Sequence, residues 1–383
     1  MDIDVDITVH RPGELTAADR AAWSSLQAKA HLHGSPQLAN PFLSPEFTLA
    51  VGRCHPGVRT AVVRDRDGEP AAFFPYQRTA LGVGRAVGLG ISDCQGIVHR
   101  PGFTWEPRGL LRACGLTVWE FDHLAGGQPE AGFGDAVTGS FDSPVIGLDQ
   151  GFAAYFGELR GRSPKFVRTT LYKERKLGRR VGEVRYVHDE RDPELLRTLM
   201  AWKSAQYRRT GRSDRFARSW IVRLAQHLFH SRSDRFAGQL SVLYAGGRPV
   251  AAHFGLRTDR VHACWFPAYD PAFARYSPGL LMHLRLAEAA ADEGISYIDL
   301  GRGQKEYKDL LKTRDLTVHE GWVTRRHPMA LGHRAHRAPV RALRNAVQSR
   351  PELFAPADRL LRAAGALRTT RREGARGTDR VDS

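Results

Sequence analysis

Ile3 to His10 alternates apolar and polar side chains, the period of two expected of a half-buried strand. Thr16 followed by Ala-Ala-Asp19 is an N-cap with an acid at the third helical position, and the helix it opens puts Ala22, Trp23, Leu26 and Ala30 on one face. Pro41 to Pro45 interrupts the chain. Ser44 then caps a short helix holding Phe47, Leu49 and Val51. Val58 to Arg64 and Ala71 to Thr79 read as strands joined by the turn Arg66 to Pro70. A Gly-rich run (Gly82, Gly84, Gly88, Gly90) leads to Ser92-Asp-Cys-Gln-Gly96. A helix over Pro107 to Cys114 and a strand over Thr117 to Leu124 follow. Gly126 to Gly139 reads as a Gly-rich loop and Val145 to Leu148 as a strand.

Phe152 to Arg160 and Pro164 to Arg180 carry helical patterns. Ser163 caps the second, and Pro164 sits at its first position. Gly182 to His188 is strand-like. Helices are expected from Asp192 to Thr210 and from Asp214 to His230. Leu240 to Tyr244, Pro249 to Arg257 and Val261 to Phe266 form a meander with turns at Gly246-Gly247 and Thr258-Asp259. Pro278 to Glu293 is helical and stopped by Gly294. Ile295 to Leu300 is a strand, Gln304 to Lys312 a helix and Leu316 to Thr324 a strand. Beyond these, Pro339, Pro351 and Pro356 break short helical pieces, with order expected to about Ala366.

The chain repeats itself. Asp67-Gly-Glu-Pro-Ala-Ala-Phe-Phe-Pro-Tyr-Gln-Arg-Thr79 aligns with Gly246-Gly-Arg-Pro-Val-Ala-Ala-His-Phe-Gly-Leu-Arg-Thr258, Gly109-Leu-Leu with Gly279-Leu-Leu, and Asp122 with Asp299. The paired prolines Pro70 and Pro249 are 179 residues apart and the aspartates 177. Three matches in the same order point to one α/β unit used twice. The expected division is 1–150, a basic linking segment 151–181, a second unit 182–325 and a tail 326–383.

At 383 residues, two domains are the natural count. With 42% hydrophobic and 26% charged residues, disorder across the whole chain is excluded. No run of uncharged apolar residues reaches the ~18 of a membrane-spanning helix. The acidic N-terminus lacks the charge pattern of a secretory leader, so a cytoplasmic location is expected. The four cysteines (Cys54, Cys94, Cys114, Cys264) form no C-x-x-C pair and read as buried thiols. No metal site is expected, since His227 and His230 stand without a cysteine or acid cluster. The net charge of +16 is concentrated in two places. Residues 160–180 hold nine basic side chains and one acid, and the tail from Arg325 holds 14 arginines against five acids. Such clusters suit nucleic acid, acidic lipid or a phosphorylated cofactor, or form a solvated face. Stacking aromatics and finger spacings are absent.

The order of elements resembles that of the GNAT acyltransferases. Used in tandem it resembles the Fem-type transferases and, more closely, their CelD-type, cellulose-biosynthesis-associated relatives. The residues carrying the likeness are Ser92 to Gly96, Ser163 to Arg168, Trp202 to Tyr207, Ala251 to Gly255, Tyr276 to Leu281 and Asp299 to Gly303 with Tyr307-Lys308. They span about residues 7 to 325. The resemblance implies an α/β (α+β) fold of two tandem GNAT-like domains, each a central mixed sheet flanked by helices, with an Arg-rich tail. It also implies acetyl-CoA as acyl donor and acetyl transfer to an amine or hydroxyl of a small-molecule, sugar or cell-envelope acceptor in a ternary complex.

In such folds the loop at the start of the long helix wraps the pyrophosphate, because free amides and the positive dipole end gather there. Here that place offers Arg275, Ser277, Gly279, Leu280 and Leu281. Arg275-Tyr-Ser-Pro-Gly-Leu has one glycine, one residue later than the family's pattern. By the same likeness Tyr307 is the acid for the departing thiolate, and Asp299 a base, an orienting group or a helix cap. His253, among apolar neighbours, is a satisfied core residue or a base. Trp202, Lys203 and Tyr207 share a helix with Lys203 and Tyr207 on one face, expected to line the acceptor cleft. Asp93 and Gln95 are expected beside it, and Lys305 and Lys308 to meet a phosphate. The first unit is expected to have lost cofactor binding. Competing readings are an aminoacyl-tRNA-dependent ligase, in which the basic helix binds tRNA, and a non-catalytic scaffold in polysaccharide assembly docking to a membrane through the tail.

Overall fold

The computed structural model describes residues 6–30, 35–303 and 305–325. The tail therefore lies outside the described residues. In chain order the first half runs β1 (Asp6–His10), α1 (Ala17–Lys29), α2 (Pro45–Cys54), β2 (Val58–Arg64), β3 (Pro70–Arg78), β4 (Val83–Arg85), β5 (Val98–His99), α3 (Pro107–Ala113), β6 (Val118–Ala125) and β7 (Val137–Gly147). Then come α4 (Gly151–Arg162) and α5 (Pro164–Val181). The second half runs β8 (Val184–Val187), α6 (Pro193–Arg209), α7 (Ser219–Phe229), β9 (Arg232–Ser233), β10 (Phe236–Ala245), β11 (Arg248–Arg257), β12 (Val261–Tyr269), α8 (Pro278–Asp292), β13 (Tyr297–Asp299), α9 (Glu306–Leu311) and β14 (Arg314–Thr324).

Local signals explain several element starts. The Thr16 hydroxyl accepts from the Asp19 amide at 3.0 Å and the Asp19 carboxylate accepts from the Thr16 amide at 3.3 Å, closing the capping box of α1. Two expected caps are not made. Ser44 Oγ donates instead to Gln27 Oε1 at 3.0 Å, and Ser163 makes no side-chain cap. Asp214 caps only a single turn, accepting from the Phe216 amide, so α7 starts later, at Ser219.

A single mixed sheet runs through both halves, in place of the expected sheet in each. Its strand order is β1-β2-β3-β4-β6-β14-β7-β13-β12-β11-β10-β8, with β5 beside β3 and β9 beside β10. This order is symmetric about the β14/β7 pair. The halves have exchanged their last strands: β14 lies beside β6 of the first half, and β7 beside β13 of the second. Residues 137–139, expected to end a loop, and 140–144, for which the sequence predicts no element, are strand. Their Gly, Ser, Asp and Pro content disfavours a strand locally, but pairing of Phe141 with Val318 and of Ser143 with Leu316 overrides it. Among the described residues two strand pairs are parallel, β4 with β6 and β12 with β13, one in each half.

On one face of the sheet α1 and α2 meet α6 and α7 over a shared core, in which Trp23, Phe42, Phe47 and Phe73 join Leu199, Leu224, Phe254 and Trp265. The opposite face carries separate cores. Trp119, Phe74 and Phe133 fill the first half, and Ile298, Leu286 and Leu159 the second.

Candidate functional site

Parallel strands β12 and β13 pair over Val261–Ala263 and Tyr297–Asp299 and then part. β12 continues along β11, while the chain after Asp299 turns at Gly301, whose φ of +75° suits glycine. β12 also bulges: Phe266 faces Phe254 and Cys264 faces Gly255, leaving Trp265 without an opposite residue. The Trp265 indole N–H is anchored on Ile91 O at 2.9 Å, in the first half.

The wedge between the diverging strands holds a cavity of about 500 Å³. It brings together Asp93, Lys203, Tyr207, Lys305, Tyr307 and Lys308, with Cys264 to Pro267 as one wall and Leu300 to Arg302 as another. Arg212, Arg215 and Arg218 also line it. Seven lining side chains are basic and one, Asp93, is acidic.

The cations have different roles. Lys308 is buried, and its Nζ donates to Gly301 O at 2.6 Å and Arg302 O at 3.3 Å, so it braces the turn instead of offering itself to a phosphate. Arg302 is held by Asp122 O and the Glu320 carboxylate. Lys203 is half-buried, donates to Pro267 O at 2.8 Å and lies 5.4 Å from the Tyr207 ring. Burial, reinforced by Lys305, Arg212 and Arg215, pulls its pKa down to about 7. Burial raises the Tyr307 phenol, so it stays a proton donor, and the Tyr307 ring stacks on His283 at 5.4 Å. Burial likewise raises the Cys264 thiol.

The other expected site residues lie elsewhere. Asp299 is buried outside the cavity and accepts from Asn40 Nδ2 (2.9 Å), Ser143 Oγ (3.1 Å) and the Gly301 amide (2.8 Å). Its oxygens are occupied by structural donors, two of them from the first half, so it neither caps α9 nor faces an acceptor. His253 is fully buried between His262 and His283, with neither ring nitrogen hydrogen-bonded. Its burial and these neighbours hold it neutral and away from the cavity, so it is a core residue. Trp202 packs against the shared core. Gln95 is buried in the first half, where it accepts from the Asp122 and His123 amides and donates to Ser92 O.

At the start of α8 the amides of Leu280 and Leu281 both close on Ser277 O, which removes two of the three expected donors. Gly279 remains open, since a Cβ built there would meet only the Tyr269 ring, at 3.7 Å. Leu281 is core, and the Arg275 guanidinium lies over the Tyr276 ring at 4.9 Å. Lys173 of α5 reaches this spot and donates to Ser277 Oγ at 2.7 Å. None of these residues lines the wedge cavity. Sequence reasoning missed Lys173, Arg212 and Arg215. The GRS motif after α6 signalled only a loop, and Lys173 was one cation among nine.

Among the described residues, no cluster of His, Cys, Asp or Glu is arranged to hold a metal, and no helix is long and apolar enough to cross a membrane.

A family model described as an acetyltransferase (GNAT) domain matches residues 165–309. No curated protein matches the chain. Among solved structures, FemX superposes with a TM-score of 0.55 at 9% identity, over 83% of this chain and 96% of its own. A conserved protein of unknown function from Bacteroides thetaiotaomicron VPI-5482 does so at 0.54 and 10%, over 83% and 100%. A tandem GNAT protein from the clavulanic acid biosynthesis pathway follows at 0.47 and 11%, over 84% and 98%. At these identities the likeness is one of fold: a GNAT-superfamily acetyltransferase-like α/β architecture with one large mixed sheet flanked by helices.

Proposed function

We propose that the chain is an acyltransferase that moves an acetyl group from acetyl-CoA to an amine or hydroxyl, with the chemistry in the second unit, 182–325. The carrying observation is the wedge between β12 and β13. It combines a bulged backbone position at Trp265, a protonated phenol at Tyr307 and an amine of lowered pKa at Lys203 in one cavity.

Acetyl-CoA supplies the thioester carbonyl and a thiolate leaving group. Lys173, Arg275 and the Gly279 amide fit its pyrophosphate at the start of α8, fewer amides being offered there than the family pattern implies. The β12 bulge provides a backbone donor for the carbonyl oxygen as it gains charge. Lys203, close to half deprotonated at neutral pH, accepts the proton of the attacking nucleophile. Tyr307 returns a proton to the departing sulfur. Asp299 and Lys308 position these groups by fixing the Gly301 turn from both sides. A CelD-type role in polysaccharide or envelope assembly belongs to the same reading.

A second reading, transfer from aminoacyl-tRNA, is favoured by α5. Its exposed face carries Lys165, Arg168, Arg175, Lys176, Arg179 and Arg180, while its acid Glu174 is held by Arg285 at 2.6 Å.

Calorimetry with acetyl-CoA on nucleic-acid-free protein tests the first reading, with Gly279→Trp as control. Saturable binding lost in the variant is expected. Absence of binding, together with RNA that co-purifies and is released by salt, would transfer the assignment to the second reading.

A further inference from the structure

Four of the cavity's cations lack counter-charges among the described residues. Several partly buried arginines elsewhere are paired, Arg85 with Glu120, Arg257 with Glu293 and Arg285 with Glu174, and within the cavity Arg302 is paired with Glu320. Among the described residues Lys203, Arg212, Arg215 and Lys305 make no ion pair, although they converge on one cavity of about 500 Å³. Asp93, the only lining carboxylate, is near His123 at 3.9 Å. Arg215 is fixed by donating to Gly90 O at 2.6 Å, and Lys305 lies 6.0 Å from the Tyr307 ring. These side chains come from three places: α6, the loop after it, and the segment before α9. The fold assembles a cluster of like charge and then leaves it uncompensated, an arrangement that a bound anion stabilises.

We propose that Arg212, Arg215 and Lys305 form an anion subsite that recognises a carboxylate or phosphate carried by the acceptor. The proposal rests on the acyl-transfer reading. The donor is assigned to the start of α8, whose residues do not line this cavity, so the anion met here is the acceptor's own. Guanidinium forks suit both groups, because each accepts paired N–H bonds. The subsite also acts on the base. Mutual repulsion with Lys305, Arg212 and Arg215 helps keep Lys203 near neutrality; the other charged and titratable groups lining the cavity are Asp93, Tyr207, Arg218, Cys264, Arg302, Tyr307 and Lys308, with His253 and His283 behind them. An anion seated among those cations relieves the repulsion and makes Lys203 a stronger base only when an acceptor is present.

The test follows the reactivity of Lys203 toward trace acetic anhydride as a function of pH, read by mass spectrometry on the full chain. Inorganic phosphate and succinate serve as separate probes. Each is expected to saturate and to move the half-reactivity pH of Lys203 upward. Arg212→Gln and Lys305→Gln are each expected to weaken the probe about tenfold, the loss of one charge-assisted contact. Thermal melting confirms that the variants are folded. Phosphate acting at lower concentration assigns a phosphorylated acceptor, and succinate a carboxylate. An unmoved Lys203, or equal probe affinity in the Arg212→Gln/Lys305→Gln double variant, overturns the subsite. Displacement of the probe by coenzyme A overturns its assignment to the acceptor. Acetyl-CoA binding separates the two claims. If it binds while the anions do nothing, only the subsite falls; if the anions act and acetyl-CoA does not bind, only the transfer reading falls.

Discussion

The two halves contain the same wedge, and each wedge holds a cavity, of about 350 Å³ in the first half and about 500 Å³ in the second. In the first half β4 and β6 are parallel and part after Arg85 and Glu120, as β12 and β13 do in the second. There the lining is charge-paired. Arg85 pairs with Glu120 at 3.0 Å, and Gln95 returns to bridge Leu124 of β6. The helix that follows differs too. α3 has seven residues where α8 has 15, and the Glu106 carboxylate accepts from the Arg108 and Gly109 amides, where a ligand anion would otherwise sit. The first half has kept the topology and paired the charges that line its cavity. The second has left cations unpaired. Loss of an anion site therefore requires no change of fold, only internal partners for charges that would otherwise meet a ligand.

The largest test of this contrast is acid. His253, His262 and His283 are the fully buried histidines among the described residues, and all lie in the second half. Burial lowers all three, His262 to about 3 and His283 to about 4, against 6.5 for a free histidine. The unfolded chain therefore binds more protons below pH 6.5, so stability is complete above that value and falls as pH drops through it. The expected slope is about 1.4 kcal/mol per histidine per pH unit, roughly 4 for the three. Urea midpoints at neutral pH and about one unit below 6.5 measure it, and hydrogen exchange should show β11, β12 and α8 loosening before β2 and β3. A flat profile would contradict the burial of these rings.

Next come the repeat-related aspartates. Asp299→Ala strands three buried donors and should cost about 3 kcal/mol, whereas Asp122→Ala, at an exposed carboxylate, should cost less than ~1 kcal/mol. Equal losses in urea denaturation would erase the distinction between the halves. Tyr307→Phe should lower acetyl transfer about 100-fold with acetyl-CoA affinity unchanged, as calorimetry and thiol release would report. A drop in affinity alone would make Tyr307 a binding residue. The smallest effect is expected of Arg85→Gln. Its half-exposed ion pair contributes less than ~1 kcal/mol, and acetyl-CoA binding should not respond. A response would show that the first wedge also binds.

The repeat was legible because turns and packing glycines are local. The Asp67 to Pro70 turn and its match at Gly246 do join the equivalent hairpins β2/β3 and β10/β11. Lys203, Tyr207, Lys305, Tyr307, Lys308 and Asp93 were visible as residue types, and the structure gathers them in one cavity. What each one does there was not visible. Lys308 and Asp299 are occupied by a turn whose shape depends on both halves, and His253 is enclosed by β12 and α8. The strand character of 137–144 was hidden because its partner lies about 170 residues away, and no local pattern encodes that pairing.

The exchange of β7 and β14 also sets a clock on biosynthesis. About 190 residues separate the end of β6 from the start of β14, which at ribosomal speeds of ~5–20 residues per second is roughly 10–40 s. Throughout that interval β6 presents an unsatisfied edge, and the nearest strand able to cover it is β7, its neighbour in sequence but not in the finished sheet. A nascent hairpin of β6 with β7 would have to reopen before β14 could enter. Limited proteolysis of chains stalled before residue 314 would reveal that detour, and protection of β7 without its final partners would be its mark.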